Sequence, residues 1–334
     1  SDKKEGSNPS YRNTENLTPL LDLLVTEKRI EDAKDILVAY VNKNNGSTLL
    51  YGKADALIPR ILENDFAGKY HFLKCTNVPF SMMGKLGVSF TDFLSEIERR
   101  VVSNEFDASE MNALGSILKN RNLRSKEGCD FDKILVLLQK GIAAYPENRT
   151  FFEWTGDASF LTKDFSGALT LYSSVLDLKK KERKNNGIGA RQTMAATSYS
   201  SPISKGTDGG KIFDPNLSLL DKMTFAYLAE GNRAGAIKAI ESFLEEFKKS
   251  EDIEEAANAY RILEMTDRIL PLKRELFVGQ IQDNNRRGWG DPAVAAALDL
   301  ARMYLEAKKF LEAEIVVDLV WKRKGDDGNS NQWE

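Results

Sequence analysis

The chain has 334 residues, 42% of them hydrophobic and 29% charged, enough to bury one long core or two compact ones. Its 47 Lys and Arg nearly balance 50 Asp and Glu, for a formal charge of -3, which excludes the basic footprint of a dedicated nucleic-acid binder. One histidine, His71, and two cysteines, Cys75 and Cys129, exclude a Ser-His-Asp triad, an HExxH site, a disulfide framework and a thiolate metal site within one chain.

Residues 1–13 are too polar to fold alone and read as a flexible tether. From there almost every stretch carries helical rather than period-two spacing, so the sequence predicts an all-α protein. Residues 17–44 read as two helices around the polar turn Glu27-Lys28-Arg29. Residues 48–105 are less regular: Pro59 interrupts a helix, and residues 77–84 look like a loop with apolar content. Within that span Phe90, Phe93, Leu94, Ile97 and Val101 share one helical face, and Ser89 with Asp92 supplies a capping-box start. A helix with Phe131, Ile134 and Leu138 ends before Pro146. Helical pairs are predicted over 149–179, 217–248, 251–284 and 293–324, the last opened by Asp291-Pro292. Residues 180–214, with Lys180 to Lys184 and many Gly and Ser, read as a long mobile insertion, and 325–334 as a flexible tail. No apolar run approaches the roughly 20 residues of a bilayer span.

The helical pairs repeat. Tyr227, Ala236, Ile240 and Phe243 recur at the same intervals as Tyr304, Ala313, Val317 and Val320, and as Leu24, Ala33, Leu37 and Tyr40. A further copy contains Gly156, Phe165, Ala168, Tyr172 and Val175. The small alanine lets two helices approach closely, and residues four and seven later share its face. These intervals resemble the tetratricopeptide repeat, a helix-turn-helix unit of 34 residues. The resemblance covers 17–44, the second helix of 112–147, 149–179, 217–248 and 293–324, with 48–105 and 251–284 as degenerate units. It implies an α-solenoid over 14–324, with first helices lining a concave face that binds a protein or peptide. The Ser, Asp and Lys rich start also resembles the tether behind the lipidated cysteine of a bacterial lipoprotein, a cysteine that would precede Ser1. That likeness implies a cell-envelope or periplasmic lipoprotein attached to a membrane only through that anchor; a trimmed cytoplasmic chain is the alternative.

Several residues invite chemistry. His71 and Cys75 lie four apart, as a Cys-His nucleophile pair on one helical face would, although no orienting Asn or Asp accompanies them and packing is the simpler reading. Gly187-Ile188-Gly189 follows no strand and precedes no GKS or GKT, so it reads as linker rather than phosphate loop. The Asn-x-Ser/Thr sequons at Asn16, Asn45, Asn148 and Asn216 occur at chance frequency. With Phe152 near the large-residue position, Trp154 is expected to point to the concave groove, where Asn258 also meets a partner. Trp289 beside Arg286 and Arg287 is a loop-borne anchor of the same kind, whereas Trp321 is expected beneath the C-terminal tail.

The sequence therefore predicts a non-catalytic scaffold for a protein or peptide partner, with no metal, no cofactor and no nucleic acid. The rival is a small-ligand receptor or enzyme whose pocket is built by 48–105 near His71, Phe80, Met82 and Met83.

Overall fold

The computed structural model describes residues 17–44, 56–75, 80–120, 124, 129–185, 213–284 and 291–326. Among them there are sixteen α-helices and no strand. The chain divides into two compact units, Ser1–Ile188 and Gly189–Glu334.

In the first unit α1 (Leu17–Thr26) and α2 (Ile30–Asn44) form a hairpin, and α2 packs on α3 (Ile58–Ile61) and α4 (Phe66–Cys75). After α5 (Phe80–Leu86) and α6 (Phe90–Val102) come the pairs α7 (Ala108–Lys119) with α8 (Phe131–Ala144), and α9 (Arg149–Leu161) with α10 (Phe165–Asn185). Neighbouring pairs touch through α4 and α7, α6 and α8, and α7 and α9. The amphipathic stripe of α6 is buried at Phe90, Phe93, Leu94 and Ile97, and Ser89 caps the helix by accepting from the Asp92 N–H at 3.1 Å.

Three details depart from the sequence reading. Phe80 to Gly84 belong to a helix rather than a loop, and Pro59 sits in the first turn of α3, where its missing N–H costs nothing. Lys180 to Lys184 continue α10 as an exposed or half-exposed helix end, so the insertion does not begin at 180; residues 186–212 of it lie outside the described residues.

The second unit contains α11 (Leu219–Ala229), α12 (Arg233–Glu246), α13 (Ser250–Ile262), α14 (Thr266–Asn284), α15 (Asp291–Glu306) and α16 (Phe310–Asp326). Each packs on the next, and α11 also packs on α13. Ala33, Ala168, Ala236 and Ala313 are all buried, the condition for close approach at each copy of the interval.

The hairpin turns share one backbone solution. Lys28, Lys163, Gly231, Glu264 and Lys308 all have positive φ, as does Asn104 between α6 and α7. The following N–H reaches back to close the motif, as from Arg29 to the Leu24 carbonyl at 2.8 Å and from Lys309 to the Tyr304 carbonyl at 2.8 Å.

Candidate functional site

Two of the predicted partner anchors, Trp154 and Asn258, are buried rather than displayed. Trp154 is buried, its ring tilted against Phe151 at 5.6 Å between centroids and seated on Gly115 of α7, where any Cβ would collide with the indole. Lys119 Nζ covers the ring at 5.8 Å, and the indole N–H has no hydrogen-bond partner. The slot that holds the tryptophan is made by a glycine 39 positions earlier, so local spacing does not reveal it. Asn258 is buried in α13, where its Oδ1 accepts from Arg261 Nη1 at 2.5 Å. Trp289, Arg286 and Arg287 lie outside the described residues. Trp321 is exposed instead of packed beneath the tail.

His71 and Cys75 do meet, with Nε2 to Sγ at 3.8 Å on α4. Burial lowers the imidazole, helped by Lys74 and Arg100, and burial raises the thiol. Both shifts favour the neutral pair, the opposite of a thiolate-imidazolium nucleophile. Met83 is buried in α5, while the side chains of Phe80 and Met82 lie outside the described residues.

Beside this pair stands a buried charge network that sequence reading missed. Glu110, at the third position of α7, is fully enclosed, and its Oε1 accepts from Lys74 Nζ and Arg100 Nε, each at 2.9 Å, and from the Tyr70 hydroxyl at 3.1 Å. Its Oε2 accepts from the Asp107 N–H at 2.7 Å, completing the capping box of α7. Lys74 Nζ also donates to Asp107 Oδ2 at 2.8 Å. Burial opposes the Asp107 anion, yet a hydrogen bond shared with the Glu110 carboxyl, whose proton stays on Glu110, together with those from Lys74 and the Ser109 N–H, holds its carboxyl below the usual range. Burial likewise opposes the Lys74 cation, and the two carboxylates outweigh it. Two cations thus meet two carboxyl groups, of which burial raises Glu110 while Asp107 stays below the usual range, and the four fasten α4, α6 and α7.

The cleft observed in this unit is formed by residues 60–65 of the 48–105 segment against the first hairpin, and neither His71 nor Met83 lines it. It encloses about 540 Å³, with Lys28, Glu31, Lys34, Arg60, Glu63 and Asp65 among its lining residues. Lys34 Nζ and Asp65 Oδ2 pair across it at 2.5 Å. Val25, Ile30 and Ile61 also line it, so the cleft mixes apolar and charged side chains.

In the second unit Lys273 is buried and joins three helices, donating to Glu254 Oε1 at 2.7 Å and pairing with Asp299 Oδ2 at 2.8 Å. Asp221 is a different case. Ser218 Oγ accepts from its N–H at 3.2 Å, and Glu255 Oε1 accepts from the neighbouring Leu220 N–H at 2.9 Å. Its own buried carboxylate oxygens have no hydrogen-bond partner. Burial raises its pKa to about 7; Ser218 opposes this, Glu255 reinforces it and Arg261 opposes it.

The exposed apolar side chains concentrate on the last described hairpin. Leu298 and Leu305 of α15 are exposed, with Phe310, Leu311, Ile315, Val317, Leu319 and Trp321 of α16. Among the described residues of α16, Ala313, Val316 and the half-buried Val320 tie it to the local core. Among the described residues no group of three or more His, Cys, Asp or Glu could hold a metal ion, and no helix is long and apolar enough to cross a membrane. No family model matches the chain, and no curated protein matches it.

Proposed function

We propose that the chain is a non-catalytic scaffold, an α-solenoid of tetratricopeptide-like hairpins that binds a protein or peptide partner, with the binding surface on α16. The observation that carries this reading is the stripe Leu311, Ile315 and Leu319, spaced i, i+4, i+8 on one helical face and exposed. Counted from the hairpin alanine, the same three positions hold Glu31, Asp35 and Ala39 in α2, Ser166, Thr170 and Ser174 in α10, and Ala234, Lys238 and Ser242 in α12. A solvated back face has become apolar in one copy alone, a change that hairpin packing does not require. The neutral His71 and Cys75 pair supports a binding role over a nucleophilic one.

The test is capture from native extract on the immobilised whole chain, identification of retained proteins, and calorimetric titration of the purified partner. Ile315→Asp should weaken that complex at least about tenfold, or about 1.4 kcal/mol, while His71→Ala leaves it unchanged. A partner that binds Leu311→Asp and Ile315→Asp as tightly as wild type refutes the assignment. Loss of function in extract on His71→Ala with these variants intact would transfer the role to the 48–105 segment.

A further inference from the structure

One wall of the cleft in the first unit is the turn end of the α1 and α2 hairpin, and the other is the end of α3 with the turn that follows it. Lys34 joins the two walls by pairing with Asp65 Oδ2 at 2.5 Å, and Glu31 Oε2 approaches the same ammonium at 3.9 Å. Asp65 is committed a second time, since its Oδ1 accepts from the Gly68 N–H at 2.9 Å in the first turn of α4. The remaining charged groups of the lining are Lys28 on one wall and Arg60 and Glu63 on the other. Among the described residues, none of these three side chains makes a hydrogen bond or an ion pair. Arg60 and Glu63 stand three positions apart and still do not meet, whereas Arg29, next to Lys28 in the turn, pairs with Asp32 at 2.6 Å. Val25 and Ile61, both buried, and half-buried Ile30 give the same cavity of about 540 Å³ an aliphatic surface. That volume lies within the range of small-ligand sites.

We propose that this cleft binds a short aliphatic peptide in its zwitterionic form, with Arg60 and Lys28 taking the carboxylate, Glu63 the ammonium, and Val25, Ile30 and Ile61 the aliphatic side chain. The charges of the lining select this class. A doubly charged anion such as phosphate would face Glu63 and Glu31 across the same space, and Lys34 is already held by Asp65. An uncharged apolar ligand would strip water from three charged groups and leave them without partners. A dipeptide with an aliphatic residue carries one carboxylate and one ammonium on an apolar body, so it answers both signs at once. The guanidinium of Arg60 can meet the carboxylate with two parallel N–H donors, and the walls of a cleft strengthen both contacts relative to open water. The site uses neither α16 nor the Glu110 network, so it stands apart from the binding of a foreign protein.

Equilibrium dialysis of the purified whole chain at neutral pH against L-alanyl-L-leucine, up to about 5 mM, tests it. The dipeptide should bind saturably, with a Kd between roughly 10 μM and 1 mM. N-acetyl-alanyl-leucine, which lacks the ammonium, and alanyl-leucine amide, which lacks the carboxylate, should each bind at least about tenfold more weakly. Lys28, Arg60 and Glu63 are exposed, so their glutamine variants should keep the circular dichroism of wild type. Lys28→Gln with Arg60→Gln should erase the preference for the free dipeptide over the amide and keep the preference over the acetyl form. Glu63→Gln should do the reverse. Ile315→Asp should bind the dipeptide as wild type does, which separates this site from the α16 surface. Absence of saturable dipeptide binding overturns the proposal. So does an acetyl form that binds as tightly as the free dipeptide, which would make the cleft a carboxylate site for the end of a longer chain. So do variants that retain both preferences, because the dipeptide would then sit elsewhere.

Discussion

Replacing Asp221 with asparagine should stabilise the protein far more at about pH 8 than near pH 4.5, where only about 1 kcal/mol is expected. The aspartate is fully enclosed at the start of α11, and neither carboxylate oxygen has a hydrogen-bond partner. Burial pushes its pKa from 3.8 to about 7 in the folded state, with Glu255 nearby adding to the cost of the anion. The folded value lies above the unfolded one, so between about pH 4 and 7 the folded state keeps a proton that the unfolded chain has released. Stability therefore falls as pH rises through this window, and the full penalty is present above about pH 7. The difference of 7 and 3.8 is about three pH units, which corresponds to about 4 kcal/mol at most. Asparagine has the shape of the protonated acid and cannot ionise, so at pH 8 the variant should gain about 2 to 4 kcal/mol over wild type. Urea unfolding followed by circular dichroism at several values between pH 4.5 and 8 measures it. A variant whose advantage is the same at every pH, or absent at pH 8, refutes the reasoning.

Lys74→Met removes one cation from the Glu110 network and should cost about 3 kcal/mol in urea unfolding; adding Glu110→Gln should recover part of the loss. Gly156→Ala would place a Cβ 2.5 Å from the ring of Tyr172, whose hydroxyl is held by Asp157 Oδ1 at 2.9 Å, so the ring cannot yield and about 1 to 3 kcal/mol should be lost. Burial, reinforced by Asp130, raises the Cys129 thiol to about 11, and burial raises Cys75 too. Both should therefore react with Ellman's reagent far more slowly at pH 8 than a thiol in a short peptide. A thiol that reacts rapidly at pH 7 would contradict the half-buried, uncharged setting of the His71 and Cys75 pair.

What could be read from sequence was what depends on neighbours along the chain. The stripe of α6, the Ser89 cap and the four buried alanines follow from spacings of three, four and seven residues, and each emerged where expected. What escaped depends on residues far apart. Trp154 is buried because Gly115 opens a slot for it on another helix, and a tryptophan with no assigned core position looks the same in sequence whether it is buried or displayed. Nothing in the spacing around Glu110 marks it, because Lys74, 36 positions earlier, and Arg100 reach its carboxyl only in the fold. The apolar stripe of α16 was legible in principle, since aligning the copies on their alanines exposes Leu311, Ile315 and Leu319 against polar or small counterparts. The helical spacing alone hid it, because an apolar side chain at such a position reads as core until the neighbouring helix is known.

The left-handed residues of the hairpin turns bear on heat tolerance. An L side chain in this conformation costs roughly 1 kcal/mol, and glycine, which escapes that penalty, is used only at Gly231 among the five hairpin turns. Lys28, Lys163, Glu264 and Lys308 are all exposed, so exchanging them for glycine would alter no packed interface. Against the extra freedom glycine gives the unfolded chain, a few tenths of a kcal/mol up to about 1 would remain at each turn. A lineage moving to a warmer habitat thus has four nearly independent substitutions open to it, scattered along both units, none of which requires the core to be rebuilt.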